Sequence, residues 1–214
     1  MAFALSPKSR RALISGLTFL AVGSILGGGA LLAHPYYTDY RAKQSQKTLS
    51  AALETPEIKK AFERKSVPVA SPVSRLLIPK LGVSTVVVEG TTKEALDAGA
   101  GHYSQTKLPG EVGNIAIAGH RTTYGKPFHN LDLLVPGDQV ILETPVGPFT
   151  YEMVSPFDGH ENPWVIRNDD WSVVADTAEP MLTLTTCHPK GSARQRLVAR
   201  LKLIGSPPPA GSGA

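Results

Sequence analysis

The sequence has a single cysteine among its 214 residues, and this scarcity limits how the fold is held together. One cysteine forms no internal disulfide, so the fold depends on its hydrophobic core. The chain also lacks a dominant charge. Its formal net charge is only +4, with no concentrated basic stripe, so nucleic-acid binding has little support. Hydrophobic residues make up 42% and charged residues 19%, which indicates a globular chain rather than a disordered one.

One long uncharged run is present near the amino terminus, from Ala12 to Ala33, directly after a basic cluster. It is long enough for a helix to cross a bilayer core, which takes about 20 residues. A cleaved signal peptide is the alternative, but its apolar core normally runs about 7–15 residues. Basic residues before the run favour an amino terminus inside the cell. We predict a cytoplasmic basic segment at 1–11 and a single-pass transmembrane anchor at 12–33 in the cell membrane, with the domain that follows extracellular.

The rest of the chain divides by composition into three parts. Residues 34–66 are polar and weakly helical without a sustained apolar stripe, so we predict an extracellular stalk or loose helix. Residues 67–205 carry strand-like runs and form the predicted folded domain. The tail "SPPPAGSGA", 206–214, is predicted to be disordered.

Seven short apolar or alternating runs in the predicted domain are bounded by glycine and proline, as is typical of strands. They are "SRLLIP", "VSTVVVEG", "GNIAIAGH", "DQVILETP", "GPFTYEMVS", "MLTLTTC" and "QRLVARLKLI". "TTKEALDAG" predicts one short helix with a threonine cap and a closing glycine, and "KPFHNLDLL" predicts a second helical turn. Many short strands with brief helices favour a mainly β domain, a closed or nearly closed barrel, over a parallel α/β sheet.

Three side chains at the ends of these runs suggest a nucleophilic site. Cys187 ends "MLTLTTC", and strand alternation places it on the less apolar face with Thr183 and Thr185. His120 ends "GNIAIAGH", and Arg196 begins the apolar run that follows the cysteine. A thiolate attacks, a histidine transfers the proton, and a guanidinium stabilises oxyanion charge. If the three strands are neighbours, this trio could attack an amide and form a thioester.

The segment "TLTTCHPKGSARQRLVAR" resembles the signature of sortases, cysteine transpeptidases of Gram-positive surfaces, in which a TLxTC strand is followed by an arginine on the next strand. "GNIAIAGHR" is similar to the family's histidine strand and "RLLIPKLGV" to its opening strand. The resemblance runs in the family's order from about Arg75 to Ile204. It implies an eight-stranded closed β-barrel with Cys187 as the nucleophile, His120 as the general acid/base and Arg196 as the substrate- and oxyanion-stabilising residue.

The stretch "GHYSQTKLPGEVGNIAIAGHRTTYGKPFHNLDLLVPGD" is most similar to the class E sortases of actinobacteria. Class C enzymes typically add a carboxy-terminal membrane segment and an Asp-Pro-aromatic lid motif, and neither pattern is found in this sequence. Class E resemblance implies cleavage of LAXTG-like signals, in preference to LPXTG, between Thr and Gly. It also implies transfer of the Thr carboxyl to an amine of a lipid-linked peptidoglycan precursor. The expected partners are this precursor and the sorting-signal peptides of exported surface proteins. Tyr124 is predicted to help select the second signal residue, and Thr185 and Thr186 to line the peptide groove.

Simpler interpretations stand beside these. Cys187 could be an inert buried thiol, Thr185 and Thr186 ordinary strand residues, and the neighbouring arginines Arg194 and Arg200 solvated face residues. Three other histidines lie in loop-like contexts without metal-ligand spacing to the cysteine: His102, His129 and His160. We therefore predict no metal and no cofactor. The alternative functions are a thiol peptidase with water as acceptor and a non-catalytic cell-wall peptide-binding module.

Overall fold

A computed structural model describes residues 7–157 and 159–207 of the chain. It contains two compact units, divided between Tyr37 and Thr38. Residues 1–6 of the predicted cytoplasmic segment lie outside the described residues, as does most of the predicted disordered tail, 208–214.

The first unit is formed by the apolar part of a long helix, α1, which runs from Pro7 to Leu53. Its large apolar side chains face outward; Leu20 is 71% exposed and Leu26 is 68% exposed. Among the described residues, α1 is the one helix whose length and composition would allow it to cross a membrane. A signal sequence has the same properties, so the anchor and its orientation stay predictions.

The polar part of α1 belongs to the second unit and packs on the folded domain. The side chain of Gln46 donates from Nε2 to the carbonyl oxygen of Ala98 at 2.7 Å, and its Oε1 accepts from the backbone N–H of Val86 at 2.6 Å. A second helix, α2 (Pro56–Glu63), buries Phe62 against the same domain. Much of the segment predicted as a stalk or loose helix, 34–66, is therefore helix. Several of its contacts with the domain are made by polar side chains, so the sequence shows no sustained apolar stripe.

Nine strands follow within the described residues. They are β1 (Pro72–Ile78), β2 (Val83–Glu89), β3 (Ala100–His102), β4 (Asn114–Ala118), β5 (Gln139–Thr144), β6 (Gly147–Met153), β7 (Trp164–Arg167), β8 (Met181–His188) and β9 (Gln195–Gly205). The sheet order is β6-β5-β1-β2-β3-β4-β8-β9-β7, and β6 also pairs with β9. That extra pairing closes eight strands into a barrel and leaves β7 as a ninth strand attached to β9. The predicted mainly β fold with an eight-stranded closed barrel is confirmed.

All seven predicted runs form strands, and the short helix is α3 (Lys93–Ala98). Its cap is Thr92, whose Oγ1 accepts from the backbone N–H of Ala95 at 3.3 Å. The second predicted helical turn is a 3₁₀ turn at Leu131–Leu133, accompanied by others at Pro79–Leu81 and Ser172–Val174. Two strands were not predicted: β3 is only three residues long, and β7 lies in a polar stretch.

The barrel interior is filled by alternating side chains from facing strands. On β8, Leu182 and Leu184 enter the core, and Leu197, Ala199 and Leu201 of β9 join them. The other face of β8 is buried as well. The strand lies in the middle of the sheet, with a neighbour on each side. Its neighbours are β4, in parallel register, and β9, in antiparallel register. The end of β8 is therefore fixed from both sides.

Arg200 is not a solvated face residue, which was the simpler interpretation of it. Its side chain is buried, donates from Nε to the hydroxyl of Thr183 at 2.9 Å, and lies 4.7 Å from the ring centre of Phe157. The covering aromatic rings come from the segment before β7, where the local sequence gives no indication of contact with β9. Arg194 is exposed, as expected of a solvated residue.

Candidate active site

Cys187 and Arg196 are directly opposite each other on neighbouring strands. They are register partners in the antiparallel β8–β9 pair. Residues paired in this way point to the same face, with Cβ atoms about 4.5–5.5 Å apart. Cys187 is a free, partly exposed cysteine. Arg196 donates from Nη1 to the carbonyl oxygens of Ala193 and Gln195, at 3.0 and 3.1 Å, so the backbone before β9 restrains the guanidinium.

His120 lies beside Cys187 on the other flank of β8. The last register pair of the parallel β4–β8 ladder is Ala118 with Thr185. The contact continues one residue further, because the N–H of Gly119 donates to the carbonyl of Thr185 at 3.0 Å and the hydroxyl of Thr186 donates to the carbonyl of Gly119 at 2.7 Å. These bonds place Gly119, the residue before His120, beside Thr186, the residue before Cys187. His120 thus follows the end of β4 rather than lying within the predicted strand.

The imidazole of His120 is held between an aromatic ring and a carboxylate. The ring of Tyr124 stacks on it with centroids 5.2 Å apart. On its other edge, Nε2 lies 3.6 Å from Oδ1 of Asp97, a residue of α3. Tyr124 has a positive φ of 52°, a rare backbone conformation for a tyrosine. The N–H of Gly125 donates to the carboxylate of Asp39 at 2.9 Å, which fixes this loop and with it the stacked ring.

The electrostatic surroundings of His120 act in opposite directions. Burial lowers the pKa of the imidazole, and this effect is the largest. The carboxylate of Asp97 raises the pKa, while the ammonium group of Lys93 lowers it, and the net result is a pKa below the usual value of His120. A histidine that is mainly neutral at working pH can accept a proton from a thiol.

The end of β8, the start of β9 and the turn after β4 therefore carry a thiol, a restrained guanidinium and an imidazole at one end of the barrel. The thiol is not sealed in the interior, so it is accessible to a substrate. This arrangement supplies a nucleophile, a proton carrier and a cation for developing oxyanion charge, the requirements for acyl transfer through a thioester. The catalytic roles assigned from the sequence resemblance stay predictions.

The family model of the sortase domain matches residues 76–204. The chain belongs to the sortase family. That segment begins in β1 and ends in β9, so it covers the closed barrel and all three candidate catalytic residues.

Individual relatives of this sortase support the resemblance to class E. The chain is 35% identical to sortase SrtE1 of Streptomyces coelicolor over 60% of its own length, but spans only 39% of that relative. A crystal structure of sortase E1 from Streptomyces coelicolor with a tripeptide in the active site is 30% identical, with a TM-score of 0.56; 65% of this chain and 95% of that chain are covered. The sortase D5 transpeptidase of Clostridium perfringens gives a TM-score of 0.64 at 29% identity, covering 78% and 99%.

The hydroxyl groups of the two threonines before Cys187 already have polar partners within the sortase domain. Both side chains are buried; the hydroxyl of Thr185 lies 3.3 Å from the phenol oxygen of Tyr103, and that of Thr186 is bonded to Gly119. Their hydroxyls therefore fix the strands around the cysteine. Their predicted place in the peptide groove, like the selective role of Tyr124, stays a prediction.

Sequence reasoning missed Arg121, the residue after His120. Its buried guanidinium donates from Nη1 to the carbonyl of Cys187 at 3.3 Å and lies 2.9 Å from Nδ1 of His188. Its Nη2 pairs with the carboxylate of Asp132 at 3.0 Å. Arg121 therefore ties the turn after β4 to the end of β8. The sequence feature that could have indicated this role is the position of Arg121 directly after His120 in "GHR".

A buried histidine–glutamate pair was also missed. His102 was interpreted as a loop residue; it ends β3 instead and is buried, with Nδ1 2.7 Å from Oε2 of Glu89 on β2. Its Nε2 lies 2.9 Å from the carbonyl oxygen of Lys107. Since a carbonyl only accepts, Nε2 is the donor there. The pair therefore connects two barrel strands and the loop that follows them.

We expect Gly119→Ala to impair both stability and turnover. A Cβ at this position would lie 2.6 Å from a ring carbon of Phe128, a fully buried side chain. Overpacking of this kind costs about 1–3 kcal/mol. Displacement of the adjacent His120 is expected to slow peptide cleavage about 10-fold or more. Thermal unfolding and cleavage rates of the variant measure the two effects.

The matched control for this variant is Gly205→Ala, where the new Cβ would make an ordinary contact 3.6 Å from Thr150. Gly205→Ala should change neither the thermal unfolding nor the rate of peptide cleavage. Adding Phe128→Leu to Gly119→Ala should relieve the clash and restore part of the turnover. Equal behaviour of the alanine variants at 119 and 205 would show that Gly119 does not position His120.

Proposed function

We propose that this chain is a membrane-anchored sortase that acts on exported surface proteins. In this proposal it cleaves an LAXTG-like or LPXTG-like sorting signal between Thr and Gly and joins the Thr carboxyl to an amine of a lipid-linked peptidoglycan precursor. The observation that carries the proposal is the ladder around β8, in which Cys187 has Arg196 as its register partner and the histidine turn continues the pairing on the other side. The candidate membrane helix α1 and the similarity to class E sortases support the location and the signal type.

The reaction has two balanced steps. The thiol proton of Cys187 first passes to His120, and the resulting thiolate attacks the Thr carbonyl carbon and forms the S–C bond. The C–N bond to Gly then breaks, and His120 gives that proton to the departing Gly amine. Arg196 stabilises the oxyanion formed on the way. The acceptor amine then attacks the thioester, the new C–N bond forms, the S–C bond breaks, and the amine proton passes to His120. The thiolate is regenerated and no redox partner is needed.

The test uses the full-length chain in detergent micelles, with an LAXTG peptide, its LPXTG counterpart, a scrambled peptide and a primary-amine acceptor. Mass spectrometry should find a thioacyl adduct on Cys187 and an amide product whose share of total turnover rises with amine concentration. We expect the LAXTG peptide to be turned over faster than the LPXTG peptide. The scrambled peptide should give neither adduct nor product.

Two outcomes would replace this proposal with the alternatives. A hydrolysed product whose share is independent of amine concentration would indicate a thiol peptidase with water as acceptor. Peptide affinity without adduct or cleavage would indicate a non-catalytic cell-wall peptide-binding module.

A further inference from the structure

A carboxylate and an imidazole face each other beside the nucleophile without forming a hydrogen bond. Oδ1 of Asp97 and Nε2 of His120 are 3.6 Å apart. Each atom is buried, and neither has a hydrogen-bond partner among the described residues. An unsatisfied buried polar atom costs about 1–3 kcal/mol. A small movement of either side chain would satisfy both atoms at once.

The other carboxylate oxygen of Asp97 is already engaged. Its Oδ2 accepts a short hydrogen bond from the ammonium group of Lys93, one helical turn earlier on α3. Nζ of Lys93 also lies 5.5 Å from the ring centre of Tyr124, and Tyr124 stacks on His120. These four side chains form one connected group, which we call the imidazole cluster: Lys93, Asp97, His120 and Tyr124.

The position of Asp97 is fixed by the fold, and its charge does not favour the dipole of its own helix. It occupies the last turn of α3, where a negative charge is unfavourable for the helix dipole. The end of this helix is fixed by Gln46, which donates to the carbonyl of Ala98 at 2.7 Å. The carboxylate is therefore presented to the imidazole by an anchored element.

We propose that Asp97 is a positioning residue for His120, which binds Nε2 when the ring carries its second proton and leaves Nδ1 to exchange a proton with Cys187. Lys93 restrains the carboxylate and competes for its charge. The inference builds on the proposed function, since it assigns the proton carrier of that reaction a partner. It adds a fourth residue to the arrangement found from the sequence.

The charges around the imidazole determine the direction in which each substitution should shift the pKa of His120. The titratable and charged groups near it belong to α3, the loop after β4, β8 and β9: Lys93, Asp97, Tyr124, Cys187 and Arg196. Arg121 also follows directly, with its charge paired to Asp132. Of these, Asp97 raises the pKa of His120 and Lys93 lowers it, against a larger lowering caused by burial. Removing the carboxylate and removing the ammonium group should therefore have opposite effects on the imidazole.

The test compares Asp97→Asn, Lys93→Gln and Glu94→Gln in the full-length chain in detergent micelles. Glu94 is the matched control, an exposed acid on the same helix. In a Cys187→Ala background, an NMR titration of the His120 ring, identified by its loss in His120→Gln, should show a lower pKa in Asp97→Asn. The pKa should rise in Lys93→Gln and stay unchanged in Glu94→Gln.

In the chain with its cysteine, Asp97→Asn should lower the kcat of peptide cleavage about 10-fold, since Asp97 supports the acid–base step. It should leave KM unchanged and move the limb of the pH–rate profile that reports His120 to lower pH. Glu94→Gln should keep the original rate and profile.

The proposal is overturned if Asp97→Asn leaves the titration of His120 unchanged, or if Asp97→Asn and Lys93→Gln shift it in the same direction. The NMR titration needs no turnover, so it separates this inference from the proposed function. Opposite shifts in a chain that transfers no peptide would support the Asp97–His120 interaction and reject the transpeptidase.

Discussion

Replacing Cys187 with alanine is expected to abolish the thioacyl adduct and to reduce peptide turnover about 10⁴-fold or more, because no other group in the site can form the covalent intermediate. The described part of the chain holds one cysteine, and it is the partly exposed partner of Arg196. The effect should fall on kcat rather than on peptide affinity, since the substitution removes only the sulfur atom. Mass spectrometry and steady-state cleavage rates measure both quantities.

The control for this variant is Thr122→Ala, an exposed position two residues after the histidine. It should retain turnover, and both variants should unfold at the same temperature as the unaltered chain. Turnover by Cys187→Ala within tenfold of the original rate would exclude the sulfur as nucleophile.

Replacing His102 with leucine is expected to destabilise the barrel by about 3 kcal/mol, because it leaves the carboxylate of Glu89 buried without its hydrogen-bond partner. Glu89 is 6% exposed and His102 is 2% exposed, so water offers little compensation. The double replacement with Glu89→Leu removes both polar groups and should recover most of the loss. Chemical denaturation in detergent followed by tryptophan fluorescence measures the free energy of unfolding.

The Glu89–His102 pair should also make the stability of the barrel depend on pH. Burial raises the pKa of Glu89, but the hydrogen bond and the charge of His102 outweigh it, so the pKa lies below its ordinary value. A depressed pKa in the folded state contributes stability that is present above the unfolded-state pKa and is lost as the pH falls through the folded-state pKa. The acid-side slope of stability should therefore be shallower in the double leucine variant. Additive costs of the two single replacements, or an unchanged slope, would contradict the pairing.

Local patterns predicted most of the barrel because each long strand carries its own alternation. The runs that became β8 and β9 were identified from their alternation, which also placed Cys187 with Thr183 and Thr185 on one face of β8. The alignment of Cys187 with Arg196 then follows from the pairing register of these two strands. The family resemblance supplied the neighbours that periodicity alone does not provide.

What could not be predicted depends on contacts between distant segments. The strand β3 contains three residues, too few for an alternating run. Its pairing with β2 is parallel, so no hairpin turn marks it in the sequence. Asp97 is recognisable as an active-site neighbour only after α3 is placed against the turn that holds His120. Its spacing from Lys93 indicates no more than an ordinary helix ion pair. Gln46 is equally uninformative in sequence, although its amide pairs with the backbone on two segments.

The three catalytic candidates lie on, or directly after, neighbouring paired strands of the barrel. The backbone ladder of β4, β8 and β9 sets the positions of the reacting groups, while the long connections before β5 and before β8 lie outside that ladder. Surface connections tolerate exchange better than paired strands do. Grafting the connection before β8 from a related enzyme should therefore change which peptides are accepted without altering the order of bond making and breaking.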